Sequence, residues 1–154
     1  MRSFNEADKT KKQKRIQLEQ NPGNFSEELL VQVEENVKAS LKDGYLSCPI
    51  AWRIADEAKV SRVAIGNITD KLGVRITNCQ VGCFKVDKNI HDNLNRKKID
   101  DTIFASLETL EKNGELTCAK VHEIAIKYKL TPLEIADFTN LRGWKIRQCQ
   151  LGCF

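Results

Sequence analysis

Apolar residues recur every three or four positions between residues 26 and 42 of this 154-residue chain. They fall on one face of a helix with that period. These residues are Leu30, Val33, Val37 and Leu41. Asn24 or Ser26 supplies a polar N-cap, and Gly44 is typical of the position just after a helix. The pattern predicts a helix over residues 26–42.

Two shorter helices are predicted next, over residues 48–58 and 62–72. A tight turn at Val60-Ser61 separates them, with Ser61 as the N-cap of the later helix. Three extended residues precede the first of these helices, and a short strand at 74–76 follows the second. The predicted order is helix, strand, helix, turn, helix, strand.

The whole pattern returns 70 residues further along the chain. The sequence ITNCQVGCF at 76–84 recurs as IRQCQLGCF at 146–154. The offset holds without a gap between 40–84 and 110–154, where 16 of 45 positions are identical. The chain therefore contains an internal duplication.

The duplication divides the chain into four parts. Residues 1–24 form a polar basic tail, 25–84 the first repeat, 85–98 a basic linker and 99–154 the second repeat. We expect the tail and the linker to be flexible. A unit of about 60 residues has a marginal core, so the repeats are expected to pack together or to be stabilised by a bound group.

The turn between the second and third predicted helices resembles that of helix-turn-helix proteins. The matching residues are Ala55, Lys59-Val60-Ser61, Ile65 and Ile68, and again Ala125, Lys129-Leu130-Thr131, Ile135 and Phe138. Lys59 and Lys129 stand where that superfamily usually has glycine. The resemblance implies a mainly α fold: two tandem winged-helix-like repeats of three helices with short strands.

The same resemblance implies that the third helix contacts DNA. The candidate DNA-binding residues are Arg62, Asn67 and Lys71 of the first repeat, and Lys11, Lys12, Lys14 and Arg15 of the tail. Glu134 and Asp137 of the second repeat would repel phosphates, so the first repeat is the better candidate for sequence-specific contact with DNA.

The net charge of +4 is unevenly distributed. Residues 1–20 and 85–98 each carry +3, whereas 21–84 and 99–154 each carry −1. A domain that reads DNA normally has a basic face. The charge therefore favours non-specific attraction through the basic arms.

All six cysteines belong to the duplication, with the spacing C-x30-C-x3-C in each copy. They are Cys48, Cys79 and Cys83, then Cys118, Cys149 and Cys153. Cys48 and Cys118 open predicted helices, where the helix N-terminus favours thiolate. Pairing of the two strands would bring Cys48 close to Cys79. Thiolate trios suit zinc, copper(I) or an iron–sulfur cluster.

Several arrangements of these thiols stay open. Each trio could hold a four-iron cluster with one exchangeable position, or both trios could share one binuclear or cluster site. Zinc would need a fourth ligand, for which His91, His122 and the carboxylate of Phe154 are candidates. Without metal, the thiols would fill a tight core, or Cys79 and Cys83 would form a redox disulfide.

The cysteine motif CQVGCF at 79–84, repeated as CQLGCF at 149–154, is similar to part of a known domain. Its other matching residues are Leu46, Cys48, Ile54-Ala55 and Gly73. The domain occurs with molybdate-responsive regulators and molybdenum-enzyme accessory proteins of anaerobes. The similarity implies the cytoplasm of an anaerobe, where oxygen-labile clusters survive.

The leading hypothesis is a helix-turn-helix transcription regulator or sensor that binds zinc or an iron–sulfur cluster and contacts DNA through the first repeat and the basic arms. The alternative is an accessory or protein-interaction module with the same cysteine trios and no DNA contact. Either could act with a protein partner or as a homodimer.

No phosphate-binding loop or catalytic histidine pattern is present, so no enzyme activity is predicted. No apolar run suits a membrane helix or a signal peptide, which predicts a cytoplasmic protein without membrane contact.

Overall fold

The computed structural model describes residues 5–15, 21, 23–84 and 99–154. Its helices are α1 (Glu6–Arg15), α2 (Glu27–Ala39), α3 (Cys48–Ala58), α4 (Arg62–Leu72), α5 (Asp101–Lys112), α6 (Cys118–Tyr128) and α7 (Pro132–Leu141). Two short strands are β1 (Tyr45–Ser47) and β2 (Arg75–Thr77). The protein is therefore mainly α-helical, as predicted. In the described ranges, every helix is too short or too polar to cross a lipid bilayer.

Polar caps set the starts of most helices in both repeats. Ser26 accepts a hydrogen bond from the backbone N–H of Leu29, and Ser61 accepts one from Ala64. The same caps in the second repeat are Asp100, Thr117 and Thr131. The end of α2 differs from the prediction, because the helix stops at Ala39 with Ser40 as its C-cap.

The turn between α3 and α4 has the same backbone as the turn between α6 and α7. Lys59 and Lys129 both adopt a left-handed conformation, each with φ of +54°. The superfamily's usual glycine takes this conformation without the steric cost that a Cβ brings. The lysines are therefore compatible with the turn, at the expense of local strain.

The described chain divides into two compact units. Unit 1 takes in the described residues up to 77 together with 150–154. In it α2, α3 and α4 pack on one another, and β1 pairs in parallel with β2, with Leu46 opposite Ile76. Its fully buried side chains include Val33, Val37, Leu46, Ile65 and Leu151. The predicted pairing of the two strands of the first repeat is thus confirmed.

Part of the predicted flexible tail is the helix α1, so that expectation is wrong for residues 6–15. The Lys12 Nζ atom lies 2.6 Å from Asp70 Oδ2, and the Arg75 Nη2 atom lies 2.9 Å from Asp8 Oδ2. Ala7 is the one apolar residue of this helix. Ion pairs rather than apolar burial therefore hold α1 against α4 and β2.

Unit 2 takes in the described residues between 78 and 149, which are 78–84 and 99–149. Its helices are α5, α6 and α7, and its fully buried side chains include Leu107, Leu116, Val121 and Ile135. The predicted strand at 144–146 is reduced to a single parallel bridge between Thr117 and Arg147.

The compact units differ from the sequence repeats at the cysteine motifs. Unit 1 contains the helices of the first repeat and residues 150–154 of the second. Unit 2 contains the helices of the second repeat and residues 78–84 of the first. Each unit therefore includes a terminal motif that belongs, in sequence, to the other repeat. The predicted linker 85–98 lies outside the described residues.

Candidate metal centre

The cysteine motif folds as a tight turn with the same backbone angles in both copies. In the first copy, Asn78 has φ of +51° and Gly82 has φ of +67°. The Gly82 N–H donates to the carbonyl oxygen of Cys79 at 3.0 Å. In the second copy, Gln148 and Gly152 have φ of +51° and +68°. This tight path turns the chain so that both cysteines of the motif lie at one bend.

The Cys79 thiol is buried, and its surroundings favour the thiolate. A hydrogen bond from the Cys83 thiol lowers the pKa of Cys79 to about 6, against the opposing effect of burial. Backbone N–H groups of Cys83, Val81 and Phe84 lower this pKa further. Thiolate is the form of cysteine that binds metals, so this turn prepares one sulfur atom for coordination.

The Cys83 thiol is the donor in this pair. Its Sγ atom lies 3.8 Å from the carbonyl oxygen of Val81, and its hydrogen bond to Cys79 raises its pKa far above the ordinary range. Burial, and then repulsion from Cys79, Cys118 and Cys149, act in the same direction. The other three thiols of unit 2 therefore all affect the ionisation of Cys83.

Backbone hydrogen bonds hold Cys118 near Cys149. The Cys118 N–H donates to the carbonyl oxygen of Arg147 at 2.9 Å, and the Arg147 N–H donates to that of Leu116 at 2.9 Å. Cys118 opens α6, and Cys149 follows Arg147 by two residues. Unit 2 thus combines two thiols of the first cysteine motif, one from the start of α6 and one from the second cysteine motif.

These thiols share a region without converging on one point. Within the described ranges, no three side chains of His, Cys, Asp or Glu lie close enough together to hold one metal ion. All six cysteines are present as reduced thiols. Rotation about the Cα–Cβ bond is the movement open to a cysteine side chain, so coordination would require such rotations to draw the sulfur atoms inward.

The remaining candidate ligands are distributed between the units. Cys48 is buried at the start of α3 and Cys153 is half-buried, and both belong to unit 1. His122 is buried on α6, one helical turn after Cys118. Phe154 belongs to unit 1, and His91 lies outside the described residues. The three cysteines of each repeat are therefore divided between the two units. The four cysteines of unit 2 come from both repeats, so the repeat pattern of the sequence does not predict this set.

The cations predicted to contact DNA from α4 are engaged within unit 1. The Arg62 guanidinium lies 3.4 Å from the centre of the Trp52 ring. Lys71 Nζ lies 2.9 Å from Glu34 Oε2. Asn67 lines a groove of about 630 Å³ between α1, α2 and α4. The charge of this helix is thus largely balanced by neighbouring groups.

The candidate residues of the tail all lie in α1. Lys12 is paired with Asp70, whereas Lys11 and Lys14 are exposed. The side chain of Arg15 lies outside the described part of the chain. On α7, the Glu134 carboxylate accepts from the backbone N–H of Thr131 in a capping box, and Asp137 is buried. Of these candidates, Lys11 and Lys14 on α1 and Lys71 on α4 are exposed, and Lys71 is paired with Glu34.

No protein-family model matches this chain, and no curated protein or solved structure is significantly similar to it. The helix-turn-helix and cysteine-domain resemblances therefore stay predictions from short motifs. A functional proposal has to rest on the chemistry of the site itself.

Proposed function

We propose that the protein binds a soft metal centre through cysteine thiolates supplied by unit 2. Its ligands would be Cys79, Cys83, Cys118 and Cys149. The observation that carries this proposal is the grouping of these four thiols in one compact unit, with Cys79 held as an acceptor of hydrogen bonds. Four cysteines are the ligand number of structural zinc sites and of common iron–sulfur clusters.

The four-thiol set supplies the fourth ligand that neither repeat has by itself. Three cysteines per repeat leave a zinc ion one ligand short, and no fourth ligand is repeated. In unit 2 the fourth thiol comes from the other copy of the motif, so neither histidine is needed. Zinc would act as a structural cross-link between the first cysteine motif and α6, whereas an iron–sulfur cluster would add redox sensitivity.

We further propose an accessory or interaction role for the tandem winged-helix-like repeats, rather than sequence-specific reading of DNA. Arg62 and Lys71 of α4 are already paired with neighbours, and the acidic residues of α7 would oppose phosphates. The exposed Lys11 and Lys14 favour the second candidate, a regulator that approaches DNA through its basic tail.

The metal proposal is tested by anaerobic purification followed by metal analysis and visible absorption. We expect Cys83→Ser and Cys118→Ser to lose bound metal. Cys153→Ser, the same change in unit 1, is the matched control and should retain it. Loss of metal in Cys153→Ser as well would show that the ligand set extends beyond unit 2. A chain that still has six titratable thiols after anaerobic reconstitution with zinc or iron would refute the proposal.

The two roles are separated by retention on a duplex DNA column across a salt gradient. An accessory module should lose any retention when residues 1–20 are deleted. Retention that survives this deletion and falls with Asn67→Ala and Arg62→Glu would instead establish a DNA reader.

A further inference from the structure

Residues 150–154 pack closely against α4 within unit 1. The Leu151 side chain is fully buried there. Gly66 faces the Leu151 backbone so closely that a Cβ atom at position 66 would overlap the carbonyl oxygen and lie 2.9 Å from the carbonyl carbon. Side chains essentially never approach backbone to such distances, so this contact requires glycine at position 66.

The Arg62 side chain forms a hydrogen bond with Gln150, the residue before Leu151. The Arg62 guanidinium donates to Gln150 Oε1 at 2.5 Å. The same guanidinium stacks on Trp52 at 3.4 Å and lies 3.5 Å from Asp56 Oδ1. Because these neighbours restrict its position, Arg62 presents a directed donor to the glutamine. We call Trp52, Arg62 and Gly66 the socket.

The socket is found in only one copy of the duplication, although the motif that fills it has a close counterpart in the other copy, with Gln-Val-Gly at 80–82 in place of Gln-Leu-Gly at 150–152. At the offset of 70 residues, the socket residues correspond to His122, Pro132 and Ala136. Pro132 cannot donate a charged hydrogen bond, and Ala136 carries the methyl group that position 66 excludes. The first repeat therefore has a recognition surface that the duplication alone does not explain.

We infer that the socket is a recognition site for a Gln-Leu-Gly segment, and that a second copy of this chain can supply that segment. The socket contacts described above come from the adjacent residues Gln150 and Leu151, so the same residues of another copy can make the same contacts. The chain's own segment has the advantage of high effective concentration. Exchange between copies should therefore appear when a chain's own segment cannot occupy its own socket.

The test mixes two full-length variants under reducing conditions with chelator. Gly66→Ala blocks the socket and leaves the segment intact. Leu151→Asp leaves the socket intact and prevents its own segment from burying a side chain. Neither variant can fill its own socket, but the segment of the first can enter the socket of the second. We expect a 1:1 heterodimer with doubled mass in the mixture, and monomers of each variant alone.

A matched control replaces Leu151→Asp with the double variant Gly66→Ala/Leu151→Asp, which has no usable socket and should give no heterodimer. If Gly66→Ala fails to fold, Arg62→Glu removes the donor to Gln150 without placing an atom against the Leu151 backbone. A mixture that stays monomeric, or a heterodimer that also forms in the control, would overturn the inference. Because chelator is present throughout, the outcome is independent of the proposed metal centre.

Discussion

Replacement of Gly66 by alanine should destabilise the protein, although the same change in an ordinary helix is favourable. Alanine is better than glycine inside a helix by about 1 kcal/mol. At position 66, however, the added methyl group must displace the backbone of Leu151. Re-exposing a buried leucine costs about 1.5–3 kcal/mol, and loss of the hydrogen bond from the charged Arg62 to Gln150 costs about 1.5–3 kcal/mol. After the helix gain is subtracted, the expected net loss is roughly 2–5 kcal/mol.

Thermal unfolding measures the size and sign of this effect. In a protein of this size, each kcal/mol corresponds to a Tm shift of about 2–4 °C. The control is Gly66→Ala in a chain that already carries Leu151→Asp. There the segment is displaced before the methyl group is added, so only the helix preference is left and Tm should rise. A higher Tm for Gly66→Ala in the otherwise unchanged protein would refute the reasoning.

Three further changes test other parts of the structure. Lys129→Gly relieves a positive φ and should raise the free energy of unfolding by roughly 1 kcal/mol. The control Lys127→Gly, inside α6, should lower the free energy of unfolding by about 1 kcal/mol. Denaturant titrations measure both changes. For the metal-free protein, stability should rise between pH 6 and pH 9, because the lowered pKa of Cys79 (about 6) lets it ionise earlier in the folded chain. The thiolate's contribution is lost as pH falls through that value, and a Cys79→Ser protein with an unchanged slope would contradict this. Asp70→Asn should loosen α1 by about 1–3 kcal/mol and speed its cleavage by trypsin, while the exposed Asp43→Asn should leave the cleavage rate unaltered.

Local signals were sufficient to predict most helices of the repeats. The caps at Ser26, Ser61 and Thr131 act within one turn of their helices, so they are visible in a short stretch of sequence. Helix α1 also has a local cap, in which the Asn5 and Asp8 side chains each accept from the other's backbone N–H. Its sequence EADKTKKQKR lacks apolar periodicity, however, so the pattern of apolar residues does not predict that it packs on unit 1. The ion pair between Lys12 and Asp70 spans 58 residues, and no local pattern encodes it.

The cysteine spacing predicted a trio of thiols in each repeat, but not which thiols share a unit. The two motifs are nearly identical, so the sequence does not say whether each packs with its own repeat or with the other. One signal was available in the comparison of the repeats. Gly66 and Arg62 differ in kind from Ala136 and Pro132, which marks the surface of the first repeat as specialised for a close contact.

The exchange of motifs also constrains how this protein can change over generations. Loss of either half by deletion would remove the segment that completes the core of the half that stays. An ancestral chain of one repeat would have needed a second molecule to supply that segment. Joining two such molecules in one chain makes each half depend on the other, so the duplication, once established, is difficult to reverse.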